Sequence, residues 1–192
     1  MKKGSKIEKL AVSAMMLALA FVLSYIKIFQ MPYGGSVTLL SMLPICFVSI
    51  KYGLPWGFGT AFCYSILQIL QGGVFGWGLT AETLVGCLFL DYILAFTSLG
   101  IAGLFRKKGR GGMIAGTVLA CAMRFVFSFI SGFVLWANME RFVAFGAEWV
   151  GRPVLYSLCY NGAYMLPETA FTVVGIVVLT VIPVIKKLIK PE

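Results

Sequence analysis

The sequence is poor in the groups on which most enzyme and metal chemistry depends. Its 192 residues include no histidine and only seven acidic residues. The lack of histidine argues against a zinc or haem site, and it deprives a serine nucleophile of its usual base. The five cysteines lie in apolar runs and form no Cys-x-x-Cys pair, so we interpret them as packing residues. We therefore expect neither a cofactor nor a catalytic site.

The chain also lacks a nucleotide-binding loop and has little charge. No Gly-x-x-x-x-Gly-Lys-[Ser/Thr] motif occurs, so an ATP-driven activity would need an ATPase on another chain. Charged residues make up only 12% of the chain, whereas a soluble domain carries about 25%. Hydrophobic residues make up 60%, and the mean hydropathy is +0.94. This composition predicts an all-α integral membrane protein with a single transmembrane domain over residues 1–192, embedded in a lipid bilayer.

Hydrophobic runs predict six transmembrane helices, since a crossing needs roughly 20 apolar residues. The second and third are short and are interrupted by proline and glycine. The predicted spans cover residues 10–29, 39–51, 56–70, 84–105, 113–136 and 155–185.

The basic residues predict the orientation of these spans. The net charge of +9 is not spread as nucleic-acid binding would require, because the lysines and arginines cluster in short segments between apolar runs. With a cytoplasmic N-terminus, twelve of the 16 basic residues fall on the cytoplasmic side. This positive-inside pattern places both termini in the cytoplasm, which agrees with an even number of spans. We expect no nucleic-acid partner.

Three ionisable residues fall well inside the predicted spans, away from their ends: Asp91, Arg124 and Glu168. A charge at the centre of a membrane helix costs at least about 2.5 kcal/mol, so such groups are expected to pair, face water or hold a ligand. A structural ion pair between Asp91 and Arg124 is one explanation. The other is a membrane-embedded site.

Helical spacing places further polar and aromatic residues on faces that a site would use. Ser128, Gly132 and Trp136 follow Arg124 at intervals of four, and Asn161, Tyr164 and Glu168 share one face of the last span. Carboxylates beside aromatic faces suit an organic cation, so we expect an anionic, aromatic cavity. Helix packing, an interfacial tryptophan and an aromatic belt are the alternatives for these residues. The candidate binding residues are Asp91, Tyr92, Ser128, Gly132, Trp136, Tyr156, Tyr160, Asn161, Tyr164 and Glu168.

Two further segments are candidates for function. Tyr33, Gly34, Gly35 and Ser36 lie in the first outer connection, where the glycines allow the loop to close as a lid. A plain turn is the alternative. Ala14 and Ala18 form a small-xxx-small pair on the first span, which suits either internal packing or docking of another membrane protein.

Four stretches carry a resemblance to a known family: MPYGGSV (31–37), DYILAF (91–96), FISGFVLW (129–136) and YSLCYNG (156–162). In this order, on six spans, they resemble the thiamine-specific substrate-binding subunits (S-components, ThiT-type) of energy-coupling factor vitamin importers. The resemblance implies a bacterial cell membrane protein that captures thiamine. It also implies two kinds of partner, a transmembrane scaffold subunit and two ATPase subunits.

The resemblance also implies roles for individual residues. Asp91 would bond the aminopyrimidine, with Tyr92 beside it in the pocket wall, and Trp136 would stack on a ligand ring. Tyr156 and Asn161 would add hydrogen bonds, and Gly132 would make room. Ser128 stands where some relatives have histidine, and no family role carries over to Glu168. The first outer loop would occlude the site, and Ala14 and Ala18 would dock the scaffold.

Three other functions remain open from the residues alone. A different vitamin or a pyrimidine precursor would fit the same architecture. A stand-alone carrier would couple protons through Asp91 or Glu168. An intramembrane enzyme would need Asp91 and Glu168 as an acid pair, or Ser128 or Ser131 as a nucleophile, but no lysine lies in the interior of a span to activate serine. We predict that the chain is not an enzyme.

Overall fold

Helices and two short hairpins make up the described part of the chain. The structure is a computed structural model, and it describes residues 5–31, 34–136, 143–144, 147–148, 152–182, 189 and 191. The first helix, α1, spans Lys6–Tyr25. Its N-cap is Ser5, whose hydroxyl accepts a hydrogen bond from the Glu8 amide at 3.1 Å, and the Glu8 carboxylate suits the positive end of the helix dipole.

A β-hairpin follows α1 where the sequence predicted four more residues of helix. Strand β1 (Lys27–Gln30) pairs antiparallel with β2 (Ser36–Thr38), with Gln30 opposite Ser36 and Lys27 opposite Thr38. The predicted end of the first span at residue 29 was therefore too late. Hydropathy does not distinguish a helix from a strand, and here pairing with β2 satisfies the backbone groups that a longer helix would have satisfied.

The next two helices are joined at a single glycine. Helix α2 spans Leu43–Tyr52 and α3 spans Leu54–Gly72, each with a proline in its first turn. Gly53 lies between them with φ of 92°, a conformation that favours glycine. Ten residues of helix rise only about 15 Å, half of the hydrocarbon thickness.

Three longer helices complete the fold. Helix α4 spans Ala81–Gly103, α5 spans Gly109–Val134 and α6 spans Pro153–Val181. Pro167 lies inside α6 without ending it. A second hairpin, β3 (Val143–Ala144) with β4 (Ala147–Glu148), lies between α5 and α6 in the chain.

Five helices in the described residues are long and apolar enough to cross a membrane: α1, α3, α4, α5 and α6. Helix α2 is apolar but shorter, and most of its side chains are buried. The long helices carry many exposed apolar side chains, such as Leu10, Phe89 and Leu166, as lipid-facing surfaces do. The chain is therefore a multi-pass helical membrane protein.

Small residues allow the helices to approach closely at the end of the bundle away from the hairpin. Ser49 of α2 accepts a hydrogen bond from the Gly103 amide at 2.9 Å and donates to the Gly100 carbonyl. A methyl group at Gly57 or Gly103 would overlap Ser49. These contacts pack α2, α3 and α4 tightly together at this end of the bundle.

Candidate functional site

A cavity of about 300 Å³ lies between the β1–β2 hairpin and helices α3 to α6. This volume is at the lower end of the range for small-molecule sites. All ten candidate binding residues line it, although they come from α4, from α5 and the turn after it, and from α6: Asp91, Tyr92, Ser128, Gly132, Trp136, Tyr156, Tyr160, Asn161, Tyr164 and Glu168. The structure thus brings the set together, and their role in binding stays a prediction.

Asp91 lies in an irregular part of α4. Residues Leu88–Leu94 form π-helical turns, a distortion that is frequent at functional sites because it turns side chains away from their α-helical directions. The Asp91 Oδ2 atom accepts a hydrogen bond from the Ser131 hydroxyl, and the Trp136 Nε1–H lies 3.4 Å from the same oxygen. The carboxylate is therefore held against α5, at the edge of the cavity.

Two indole rings lie beside this carboxylate. Trp77 and Trp136 have ring centroids 5.8 Å apart and an interplanar angle of 65°. Trp77 was not among the candidate binding residues, but it also lines the cavity. Tyr156 and Tyr160 add a second pair of rings, with centroids 5.7 Å apart. The wall near Asp91 is therefore aromatic on two sides.

Arg124 does not form the ion pair with Asp91 that the sequence allowed as an alternative. Its Nη1 atom lies 2.7 Å from the Met42 sulfur, and its guanidinium carbon lies 4.2 Å from the centre of the Phe96 ring. Its Nε–H has no hydrogen-bond partner among the described residues. The guanidinium is thus held by soft and aromatic contacts at the wall of the cavity.

Asn161 joins α5 to α6. Its Nδ2 group donates to the Ser128 carbonyl at 3.2 Å and to the Ser157 carbonyl at 3.0 Å, while its Oδ1 accepts from the Tyr164 hydroxyl at 2.8 Å. The amide therefore has a fixed orientation, with one lone pair of Oδ1 left for a further donor.

Gly132 lines the cavity, and it also makes room for a neighbouring helix; its predicted role of leaving space for a ligand ring stays a prediction. A methyl group built at Gly132 would overlap the Ser157 hydroxyl and lie 3.0 Å from Asn161 Nδ2. The glycine lets α6 approach α5 closely enough for the hydrogen bonds of Asn161.

The β1–β2 hairpin covers one side of the cavity. The Gly35 amide donates to the Tyr160 hydroxyl at 3.2 Å, and Gly34 (φ 98°) lies against Trp77. Gly34, Gly35 and Ser36 line the cavity, as the prediction of a lid requires. Tyr33, the fourth predicted lid residue, lies outside the described residues.

Glu168 faces the hairpin. Its carboxylate accepts hydrogen bonds from the Thr38 amide and hydroxyl, both at 2.6 Å, and from the Ser41 hydroxyl at 3.3 Å. Its side chain is 2% exposed. Most of its bonding capacity is therefore used within the protein.

The charge of the cavity differs from the expectation. The predicted carboxylates, Asp91 and Glu168, are present, but Lys27 and Arg124 line the cavity as well. The cavity is therefore mixed in charge, and its Asp91 side is both acidic and aromatic. Among the described residues, no group of three or more potential ligands is placed to hold a metal ion.

Several residues that position the cavity carboxylates were not among the candidate binding residues. Ser131 holds Asp91, while Thr38 and Ser41 hold Glu168. Each carries a hydroxyl group within an apolar run, and hydropathy averaged over such a run does not single out one hydroxyl side chain. Spacing along the helix gives one indication for Ser131. It lies three residues after Ser128 on the same predicted span, and one turn before Leu135, the neighbour of Trp136 in the chain.

Comparisons with known proteins give consistent results. A family model described as "Thiamine transporter protein (Thia_YuaJ)" matches residues 10–188. The thiamine transporter ThiT of Bacillus subtilis (strain 168) is 32% identical over 207 aligned residues, which cover 100% of this chain and 99% of the relative. A solved structure of ThiT from Listeria monocytogenes is similar with a TM-score of 0.73 at 19% identity, covering 98% of this chain and 100% of that one. The last likeness supports the fold.

Proposed function

Since the chain belongs to the thiamine transporter protein family, we propose that it binds thiamine in the 300 Å³ cavity and acts as the substrate-binding subunit of an energy-coupling factor importer. As a member of a transporter family, it is not an enzyme. No bond needs to be made or broken in the cavity, and the task of these residues is recognition.

The observation that carries this proposal is the Asp91 carboxylate beside Trp77 and Trp136. Thiamine combines a flat aminopyrimidine, whose exocyclic amine donates hydrogen bonds, with a permanently cationic thiazolium ring. A carboxylate accepts from the amine, and each aromatic face attracts the cation by about 0.5–2 kcal/mol. Two of the protein donors to Asp91, Ser131 and Trp136, approach Oδ2, and we propose Oδ1 as the acceptor for the amine.

We place the other candidate residues around thiamine bound in this way. Trp136 stacks on a ligand ring, and Tyr92 and Tyr156 form neighbouring walls. Asn161 Oδ1 and the Tyr160 hydroxyl offer further polar contacts. Ser128 and Gly132 act through the shape of the wall, because Ser128 offers its carbonyl to Asn161 and Gly132 admits Ser157 and Asn161.

We further propose six membrane segments in a single domain, with both termini in the cytoplasm. Helix α2 together with the β1–β2 hairpin would form the second segment, since α2 alone is too short to cross. The excess of basic residues on one side supports this orientation. It places the hairpin and the cavity toward the outside of a bacterial cell membrane, where a nutrient arrives.

Transport then requires other chains. The sequence contains no nucleotide-binding loop, so energy must come from ATPase subunits through a membrane scaffold subunit. Ala14 and Ala18 are exposed on one face of α1, and small exposed residues allow another helix to pack closely. We assign this face to the scaffold.

A binding panel tests the ligand. Calorimetric titration of the purified protein with thiamine, hydroxymethylpyrimidine and riboflavin should give submicromolar affinity for thiamine and weaker binding of the other two. A preference for either of the others would replace thiamine as the ligand while keeping the architecture.

Reconstituted uptake tests the role as a subunit. Liposomes that contain the scaffold and ATPase subunits with this chain should accumulate thiamine when ATP is enclosed. Liposomes with this chain alone should not accumulate it under a proton gradient. Uptake by the chain alone would instead support a proton-coupled carrier.

A further inference from the structure

Glu168 is bonded on both of its carboxylate oxygens by one short segment of chain. Thr38, the last residue of β2, donates its amide to Oε2 and its hydroxyl to Oε1, and Ser41 also donates to Oε1. The Thr38 and Ser41 hydroxyls are themselves 2.6 Å apart. Hydrogen bonds to an ionised acceptor are among the strongest that a protein makes. The bonds join α6 to the segment of chain between the end of β2 and the start of α2.

The backbone between the two bonded residues is in a disfavoured conformation. Leu40 has φ of 61°, the only positive φ among the described residues other than glycine. A β-carbon disfavours this region sterically, and such conformations persist where surrounding contacts hold them. The contacts here are the Glu168 bonds on either side and the Leu40 side chain, which lies against Gly175 of α6.

One face of α6 holds the whole segment. Tyr160 accepts from the Gly35 amide, and Gly35 also lies against the Tyr164 ring. Glu168 lies one turn further along the same face. The chain just before β2 is therefore attached to α6 through a neutral hydroxyl, whereas the end of β2 is attached through a buried carboxylate.

We propose that Glu168 is a positioning residue that holds the β1–β2 hairpin closed over the cavity, and that it does not contact the ligand. The identity of the ligand in this inference rests on the proposed function. Glu168 acts through Thr38 and Ser41, so its loss should open the hairpin more often and release a bound ligand sooner. A direct ligand contact, which the sequence analysis expected of Glu168, would behave differently with different ligands.

The first experiment measures the hairpin without any ligand. Hydrogen–deuterium exchange of the ligand-free protein should show the Thr38 amide exchanging about tenfold faster in Glu168→Gln than in the wild type. The control is Glu82→Gln, which removes an exposed carboxylate in the first turn of α4 and should leave this exchange unchanged. Equal protection of Thr38 in the Glu168 variant and the wild type would overturn the proposal.

The second experiment measures ligand release. In stopped-flow tryptophan fluorescence, Glu168→Gln should release thiamine about tenfold faster, which corresponds to about 1.4 kcal/mol. The factor should be the same for a thiamine analogue without the hydroxyethyl group and for one with a modified pyrimidine. A factor that depends on the analogue would identify Glu168 as a ligand contact and overturn the proposal.

A double-variant cycle tests the route through Thr38. Thr38→Val removes the hydroxyl bond to Glu168 and keeps the shape of the side chain. It should also speed release, and its effect should be much smaller in the Glu168→Gln background, because both changes break the same contact. Additive effects would overturn the proposal. Failure of the wild type to bind thiamine would refute the proposed ligand alone, since the exchange experiment needs no ligand.

Discussion

Asp91→Asn keeps the size of the side chain and removes its charge, so it isolates the contribution of the carboxylate to ligand binding. In the structure, Ser131 and Trp136 both donate toward one oxygen, Oδ2. An asparagine has a single oxygen, and these two donors will orient that oxygen toward themselves. The Nδ2 group then occupies the place of Oδ1 and presents a donor to the exocyclic amine of the ligand, which is also a donor.

Asp91→Asn is expected to lose the full binding free energy of the hydrogen bond from the amine to a charged acceptor. Such bonds contribute about 1.5–3 kcal/mol, which corresponds to roughly 10- to 150-fold in Kd at about 1.4 kcal/mol per tenfold. Isothermal titration calorimetry with thiamine measures this change. Glu82→Gln, a carboxylate change elsewhere on α4, should leave the Kd within twofold of the wild type.

A second ligand makes this test specific to the geometry. An analogue with a carbonyl in place of the exocyclic amine offers an acceptor, to which the Nδ2 group of the introduced asparagine can donate. The Asp91→Asn protein should therefore lose affinity for thiamine and gain affinity for this analogue. Thiamine binding within twofold of the wild type, or an equal loss for both ligands, would refute the assignment of Asp91 as the amine acceptor.

Three further outcomes are expected. Trp136→Ala should weaken thiamine binding at least tenfold and reduce ligand quenching of tryptophan fluorescence, because it removes a stacking face. Trp136→Phe should keep most of the affinity, and equal affinity in all three proteins would contradict the stacking role. Gly132→Ala should destabilise the fold by about 1–3 kcal/mol through overpacking between α5 and α6, measured as a lower thermal midpoint. The control Gly162→Ala, where a methyl group meets nothing within 4 Å, should be neutral or stabilising. The reverse order of stability would contradict the packing. Ala14→Leu and Ala18→Leu should impair co-purification with the scaffold and leave the thiamine Kd unchanged, and retained association would place the docking face elsewhere.

The class of the protein could be predicted from composition because lipid selects on hydrophobicity alone. Twenty apolar residues in a row have few stable alternatives to a membrane helix, so the long helices were predicted to within a few residues of their ends. The family could also be predicted, because four short stretches in order are more specific than any one of them.

Element boundaries near the hairpin could not be predicted. Ile28 and Phe29 are apolar enough to continue α1, and pairing with the segment from Ser36 to Thr38 makes this part of the chain a strand. The same limit applies to Trp77. Its place in the chain suggests an interface anchor, and only the fold of the segment between α3 and α4 brings it 5.8 Å from Trp136.

The sequence alone identified the polar residues whose presence in a membrane-spanning segment requires a specific role. The energetic cost of Asp91, Asn161 and Glu168 in a membrane is a property of the side chains, so they could be selected as candidates without coordinates. What each one contacts depends on the distances between helices, which no spacing along the chain contains. Only the tertiary structure decided that Asp91 pairs with Ser131 and not with Arg124, and that Glu168 holds the hairpin, because these contacts join segments 40 and 130 residues apart.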